Sequence, residues 1–287
     1  MQIIGIVGPS DADRRALLER LVTRLAERGE VATVGSLEGP DADGSSISAV
    51  ANATASYRVA GDGSWIATER ESSIDRVLDR LAPRYDYAVL DGFDEATVPR
   101  VEIGDRAIDD GTTDDTEGAI DGAPEAVLAT GSDADAIDVE DLLETIETCE
   151  PYETLESLVE RVKRSPRSER AGAIATFTGR VRVKDGADDP PTERLQFEKY
   201  EGVADRRMET IREELESREG VYEVRMHHRT GVVEAEEDIV HVVVLAGHRR
   251  EAFRTVEDGI DRLKAEVPLF KKEVTVEGEF WAHQHEC

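Results

Sequence analysis

The stretch GIVGPSDADRRALLERL (residues 5–21) decides the fold of the first half of the chain. It joins an apolar strand, predicted over residues 2–7, to a turn at Gly8 and then to a helix, predicted over residues 12–28, whose leucines share one face. The other predicted elements of this half are strands at 31–36, 87–90 and 126–130 and helices at 73–81 and 139–147. Strands that alternate with helices predict an α/β domain over residues 1–148, built on a parallel sheet in three layers.

The pattern changes after residues 149–151, where strands occur in groups beside two long helices. The predicted elements are helices at 154–164, 203–218 and 250–266 and strands at 172–182, 194–200, 221–228, 239–246 and 274–281. This grouping predicts an α+β domain over residues 152–287. The acidic, small-residue segment 104–124 in the first half is expected to be a solvated loop.

The composition excludes several classes of function. The 64 acidic residues against 35 basic ones give a formal net charge of −29, which argues against binding nucleic acid or anionic membranes. Only six of the basic residues are lysines, at positions 163, 184, 199, 264, 271 and 272. An acidic, lysine-poor surface is typical of proteins from a high-salt cytoplasm, although a merely acidic protein is the alternative. The remaining lysines are therefore candidates for chemical roles.

Two cysteines without metal-ligand spacing fit a reducing cytoplasm, and we expect neither a metal nor a cofactor. No signal peptide and no apolar run of membrane-spanning length is visible, so we expect a soluble cytoplasmic protein.

The turn after the first strand resembles a phosphate-binding loop that lacks its ligands. Such a loop needs a second glycine, a lysine and a hydroxyl residue, and this chain has Asp13, Arg14 and Arg15 there. The candidate nucleotide-binding residues are Gly8, Ser10, Arg14 and Asp91. Because the lysine and hydroxyl are missing, we expect no GTP hydrolysis, and a docking or dimerisation role is favoured.

Three cationic clusters stand out in the second half, and each is expected at a strand end or a helix terminus. They are Arg180 with Arg182, His248 with Arg249 and Arg250, and Lys264 with Lys271 and Lys272. Converging arginine, histidine and lysine side chains suit a phosphorylated or anionic small substrate. The alternative is that each cluster consists of ordinary surface cations. The three together in an acidic chain favour the binding site.

The spacing of these clusters bears on how a pocket is built. If residues 249–264 form one helix, its ends lie about 22 Å apart. Arg249 and Lys264 then serve different ligands, or the pocket lies across a dimer and the neighbouring subunit supplies His248 and Arg249. The second possibility is favoured. Pro268 ends the helix and allows Lys271 to return towards Lys264.

Six blocks of the second half are similar to the large, catalytic subunit of molybdopterin synthase. They are GAIATFTGRVR, LQFEKYEGVADRRM, HHRTG, GHRREAF, DRLKAEVPLFKKE and GEFW, and they cover residues 152–283. The resemblance implies an α/β-hammerhead fold and a homodimer with a small ubiquitin-like subunit at each end. It also implies that the partner's C-terminal Gly-Gly thiocarboxylate delivers sulfur to cyclic pyranopterin monophosphate, which makes the dithiolene of molybdopterin.

The resemblance also implies the site residues. Lys264 and Lys271 match the catalytic lysines of the family. The residues of the same blocks that match its substrate-binding positions are Arg180, Val181, Arg182, His248, Arg249, Lys272 and Glu273. Val203 and Phe270 stand where methionine and tryptophan are usual, and both keep an apolar wall.

The first half resembles the P-loop adaptor of molybdopterin-guanine dinucleotide synthesis. The similar blocks are IIGIVGPSDADRRALLERLVTRLAERGEVATVG and DYAVLDGFDEATVPRVEIG. Three hypotheses follow for the whole chain. It is a sulfur-transferring synthase subunit, or a scaffold whose Lys264 or Lys271 is acylated by the ubiquitin-like partner, or a GTP-binding adaptor.

Overall fold

The computed structural model describes residues 1–35, 55–62, 64–69, 73–94, 96–104, 127–184, 186–187, 189–200 and 202–282. The described residues form two compact units, and the chain passes from the first to the second between Tyr152 and Glu153. The predicted acidic loop at 104–124 lies outside the described residues except for Gly104.

The first unit alternates strands and helices along most of its length. In chain order its elements are β1 (Gln2–Val7), α1 (Asp11–Leu25), β2 (Val31–Gly35), β3 (Ala55–Val59), β4 (Trp65–Glu69), α2 (Ile74–Leu81), β5 (Tyr87–Asp91), β6 (Arg100–Ile103), β7 (Val127–Gly131) and α3 (Val139–Thr148). Five strands form a parallel sheet in the order β2-β5-β1-β6-β7. Strands β3 and β4 form a separate antiparallel hairpin.

Helices cover both faces of the parallel sheet, and the side chains of β1 point alternately to one face and the other. Ile4 and Ile6 pack in one buried cluster with the leucines of α1 and α3. Ile3 packs on the opposite face with Leu78 of α2. The three-layer α/β architecture predicted from the sequence is confirmed.

The last residue of the first unit, Tyr152, is hydrogen-bonded to earlier residues of the same unit. The amide of Tyr152 donates to the carbonyl of Met1 at 2.8 Å, and the phenol of Tyr152 donates to Asp79 at 2.8 Å. The end of the first unit is thereby held beside its first strand.

The second unit is built on two antiparallel sheets. Its elements are α4 (Leu155–Lys163), β8 (Ala173–Arg180), β9 (Thr192–Lys199), α5 (Val203–Glu216), β10 (Val221–His228), β11 (Gly231–Glu234), β12 (Asp238–Ala246), α6 (Arg249–Glu266), β13 (Leu269–Thr275) and β14 (Gly278–Ala282). One sheet has the order β10-β12-β8 and the other the order β11-β9-β13-β14. The predicted α+β class is confirmed.

The central strand β12 separates two layers of helix. Val242 and Val244 pack in one cluster with residues of α5 and α6, whereas Val243 and Leu245 pack on the other face with α4. This alternation gives the continuous apolar run of β12 two different burial partners. The result fixes α6 against the three-stranded sheet.

The end of the chain differs from its prediction. A single strand over residues 274–281 is wrong, because β13 and β14 form a hairpin whose turn includes Gly278 at φ 152°. The hydroxyl of Thr275 donates to the carbonyl of Gly278 at 2.9 Å and holds the turn. Four other strands were not predicted, namely β3, β4, β6 and β11.

Candidate active site

One helix carries candidate residues at both of its ends. α6 runs without interruption from Arg249 to Glu266, and a buried stripe holds it on the sheet. The stripe consists of Ala252, Val256, Ile260 and Leu263. Gly259 lies in the same face, where an added Cβ would come within 3.1 Å of Val242, so the helix packs closely. The backbone positions of Arg249 and Lys264 are therefore about 22 Å apart, and one copy of the chain does not bring them together.

Lys264 is an exposed residue in the last turn of α6. The helix ends because Val267 has extended backbone angles and Pro268 has no N–H to continue the hydrogen-bond pattern. Glu266, two residues after Lys264, accepts a hydrogen bond from Arg262 at 2.8 Å. This bond holds the pKa of the Glu266 carboxyl below its ordinary value. Within the described part of the chain, Lys264 itself has no ion pair or hydrogen bond. Its ammonium is therefore available to a ligand.

The lysines of β13 point to opposite faces of the four-stranded sheet, as alternate residues of a strand do. Lys271 forms an ion pair with Glu273 at 3.5 Å, and both side chains are less than a third exposed. Lys272 forms an ion pair with Glu279 of β14 at 2.9 Å, and Glu279 is 60% exposed. The expectation that this cluster lies at a strand end or helix terminus holds for Lys264 but is wrong for Lys271 and Lys272, which lie within β13.

The face that carries Lys271 is the inner one. Lys271 and Glu273 lie opposite Phe197 and Leu195 of β9, and both of these residues are buried. Glu273 also accepts a hydrogen bond from the hydroxyl of Thr192. The carboxylate that faces Lys271 is thus fixed by a second contact.

His248 and Arg249 lie at the N-terminus of α6, on the exposed surface. The side chain of His248 caps no backbone amide of the helix, although it occupies the N-cap position. Arg249 and Arg250 have no ion pair among the residues that the structure describes. This cationic helix end is open to an external partner.

Arg180, Val181 and Arg182 lie where β8 ends. Arg180 is held by the carbonyl of Glu236 and by Asp238 at 3.4 Å, and Val181 is buried.

Val183, which follows Arg182, accepts a hydrogen bond from the amide of Thr192 at the start of β9. Lys271 pairs with Phe197 of β9. Phe197 is five residues after Thr192, which is about 17 Å along the strand. The register therefore places the arginines at one end of β9 and Lys271 near the other.

In the first unit, Arg14 fills the turn that resembles a phosphate-binding loop. Its guanidinium donates to Asp91 at 2.8 Å, to Asp11 at 2.7 Å and to the carbonyl of Gly8. Burial lowers the pKa of Arg14, but the hydrogen bonds and charges of the two carboxylates outweigh it and raise the pKa overall. Ser10 caps α1 by accepting from the amide of Asp13 at 3.2 Å. All four candidate nucleotide residues are thus close together, and their polar groups bind one another or cap α1.

Two further observations concern the described residues alone. They contain no group of three or more histidine, cysteine, aspartate or glutamate side chains that could hold a metal ion. No helix among them is both long enough and apolar enough to cross a membrane.

Comparisons with known proteins agree on the second half of the chain. Residues 148–266 match a family model described as MoaE protein. A probable molybdopterin synthase from Haloferax volcanii is 50% identical over 283 residues, which is 99% of both chains. The chain belongs to the MoaE family of molybdopterin synthases.

Two other similarities are more limited in extent. A molybdopterin synthase catalytic subunit from Pyrococcus abyssi, which the chain matches over 73% of its length, is 42% identical over 110 residues, or 38% of this chain. The structure of Bacillus subtilis MobB is 16% identical with a TM-score of 0.33, and the match covers 50% of this chain and 97% of that one. The roles that the sequence suggests for individual residues of this MoaE-family chain remain predictions.

Proposed function

We propose that this chain is the catalytic subunit of a molybdopterin synthase and that it transfers sulfur to a pterin. The sulfur comes from the C-terminal thiocarboxylate of a small ubiquitin-like partner, and the acceptor is cyclic pyranopterin monophosphate. The full-length similarity to a probable molybdopterin synthase supports the activity. One structural observation carries the assignment of the site. Lys264, which is exposed and has no ion pair among the described residues, lies seven residues before the half-buried Lys271, and the turn at Pro268 separates them.

Each sulfur transfer forms two bonds and breaks two. The thiocarboxylate sulfur bonds to a carbon of the pterin while a bond from that carbon to oxygen breaks, with the oxygen leaving as the better leaving group once it is protonated or carried on phosphate, and a thioester joins the two molecules. Water then cleaves the acyl–sulfur bond, which leaves a thiolate on the pterin and a carboxylate on the partner. A dithiolene contains two sulfurs, so two thiocarboxylates are consumed for each product.

Lys264 is assigned to the carbon that receives sulfur, as the nucleophile or acid–base group. Lys271 and Arg182 are assigned to the anionic groups, the phosphate of the pterin and the tail of the partner. The other residues in the substrate-binding assignment are Arg180, Val181, Lys272 and Glu273.

The test is dithiolene formation from the pterin precursor and the thiocarboxylated small subunit. Lys264→Ala should lower the rate by about a hundredfold or more, because it removes a group that acts in the transition state. Lys163→Ala is the matched control, since Lys163 is an exposed lysine of α4 that pairs with Glu160. A wild-type rate in Lys264→Ala would remove that residue from the chemistry.

The pocket is proposed to lie between two copies of this chain. α6 separates Arg249 from Lys264 by about 22 Å, so a homodimer is the arrangement that brings His248 and Arg249 of one copy to Lys264 of the other. A small partner at each end of the dimer would make a heterotetramer. Light scattering of the chain alone and with the partner measures both steps.

A second candidate function is a scaffold that the small partner acylates. The exposure of Lys264 favours it, because an amine outside ion pairs is accessible to an activated C-terminus. The same assay separates the two functions. A scaffold would accumulate an amide at Lys264 or Lys271, visible by mass spectrometry, and would make no dithiolene.

The first unit is proposed to act in docking or dimerisation rather than in GTP hydrolysis. Arg14 stands at the lysine position of the loop and is bound to Asp91, Asp11 and Gly8. We propose residues 1–148 and 152–287 as two functional domains of a cytoplasmic protein adapted to high salt. Magnesium-dependent GTP binding by the full chain would revive the adaptor hypothesis.

A further inference from the structure

We propose that Lys199 is a third lysine of the substrate site and that it binds the phosphate of the pterin together with Lys271. The proposal rests on the proposed function and adds a binding residue to it. Lys199 belongs to none of the three cationic clusters of the sequence, and only the fold places it beside Lys271.

The register of β9 and β13 brings the two lysines together. Lys199 lies opposite Leu269, and Phe197 lies opposite Lys271. Lys199 and Lys271 are thus diagonal neighbours on the same face of an antiparallel pair, where side chains are about 7–8 Å apart at their bases. Leu269 and Phe197 are both buried, so this face is the inner one.

Lys199 is held in place on this face. Its side chain is 18% exposed, and its ammonium forms an ion pair with Asp205 in the first turn of α5 at 3.3 Å. Asp205 itself is 53% exposed. The ion pair fixes the direction of the lysine, while the carboxylate remains in contact with water.

The end of β9 adjoins the turn that joins the elements of the other two lysines. The amide of Tyr200 donates to the carbonyl of Pro268 at 3.3 Å. Pro268 separates α6, whose last turn contains Lys264, from β13, which contains Lys271. The backbones that carry the three lysines therefore meet at this turn.

The anionic phosphate group of the pterin fits this arrangement. Lysine ammonium groups bind phosphate as point charges with several donors, which suits two lysines on neighbouring strands. The phosphate replaces Asp205 as a partner of Lys199, and the exposed carboxylate is left in water at little cost. Glu273 remains beside Lys271, because Thr192 also holds it.

The first test is steady-state kinetics of the full chain with its thiocarboxylated partner. Lys199→Met should raise KM for the pterin by about tenfold, with kcat and KM for the partner little changed. Lys199→Arg should restore most of the affinity because it keeps the charge. Asp205→Asn should leave KM for the pterin unchanged or lower it, and Lys163→Met is the surface control.

The second test needs no substitution. An amine-reactive reagent, read out by mass spectrometry, should label Lys199 more slowly when the pterin or inorganic phosphate is present, whereas labelling of Lys163 should not change. This measurement stands even if Lys199→Met fails to fold.

The proposal is overturned by three results. They are an unchanged KM for the pterin in a folded Lys199→Met, equal losses in Lys199→Met and Asp205→Asn, and no protection of Lys199 from the reagent. Absence of synthase activity in the wild-type chain would instead refute the proposed function. Activity with an unchanged KM in Lys199→Met refutes this inference alone.

Discussion

Arg249 and Lys264 lie at opposite ends of one helix, about 22 Å apart, and both side chains are exposed without ion pairs among the described residues. Two of the three cationic clusters of the sequence are therefore far apart within one copy of the fold. A shared pocket between two copies reconciles this separation with a single small substrate.

The ion pair between Lys271 and Glu273 predicts unequal effects of two glutamate substitutions. Glu273→Gln should lower synthase activity by about tenfold, because the amide holds Lys271 less firmly on the inner face. Glu160→Gln is the matched control, since Glu160 pairs with the exposed Lys163 of α4, which has no role in the proposed site. Equal activities of the two variants would contradict a role for the inner pair.

The network around Arg14 predicts a local loss of stability in the first unit. Arg14→Ala should lower the free energy of opening of β1 and β5 by about 1–3 kcal/mol, because it leaves Asp91 without its cation. Hydrogen exchange of the full chain measures this value. Arg15→Ala is the control, since Arg15 and Glu19 are an exposed pair with an expected effect under about 0.5 kcal/mol. Equal exchange in the two variants would show that the network does not stabilise the turn.

Burial of His241 predicts a pH dependence of stability. Burial lowers the pKa of His241 below 6.5, the charge of Arg229 acts in the same direction, and Asp238 opposes them. Between the lowered pKa and 6.5 the unfolded chain binds more protons, so this contribution to stability falls as the pH falls through that window. Urea unfolding of the wild type and of His241→Gln at several pH values measures it. Parallel pH profiles would exclude the contribution of His241.

The net charge of −29 predicts that salt stabilises the chain. Raising potassium chloride from about 0.1 M to about 1 M shortens the screening length and weakens repulsion between carboxylates, so the melting temperature should rise. Calorimetry of the full chain measures the change. A melting temperature that stays constant or falls with salt would argue against adaptation to high salt.

The periodicity of the sequence predicts most of the elements but misses those that arrange the site. β13 carries Lys271, Lys272 and Glu273 in its middle, so the alternation of apolar residues that marks a strand is absent. The lysine on its inner face forms an ion pair with Glu273. β6 and β11 have four residues each, too few for a clear pattern.

Strand register explains the rest of what the sequence does not reveal. The position of Lys199 beside Lys271 depends on how β9 pairs with β13, and residues 72 positions apart give no local signal of that pairing. The block motifs, by contrast, indicate Lys264, His248 and Arg249 as candidate site residues from the sequence alone. Their 22 Å separation follows from helix geometry once α6 is known to be unbroken.

The most direct test of the shared pocket is the activity of a hybrid dimer. Lys264→Ala and Arg249→Ala chains carry different affinity tags, and two successive purifications isolate dimers with one chain of each kind. If the pocket lies between copies, one of the two sites in the hybrid has both residues intact. We predict about half of the wild-type rate of dithiolene formation from the hybrid, and little from either parent. A hybrid no more active than the mean of its parents would contradict a site shared between two chains.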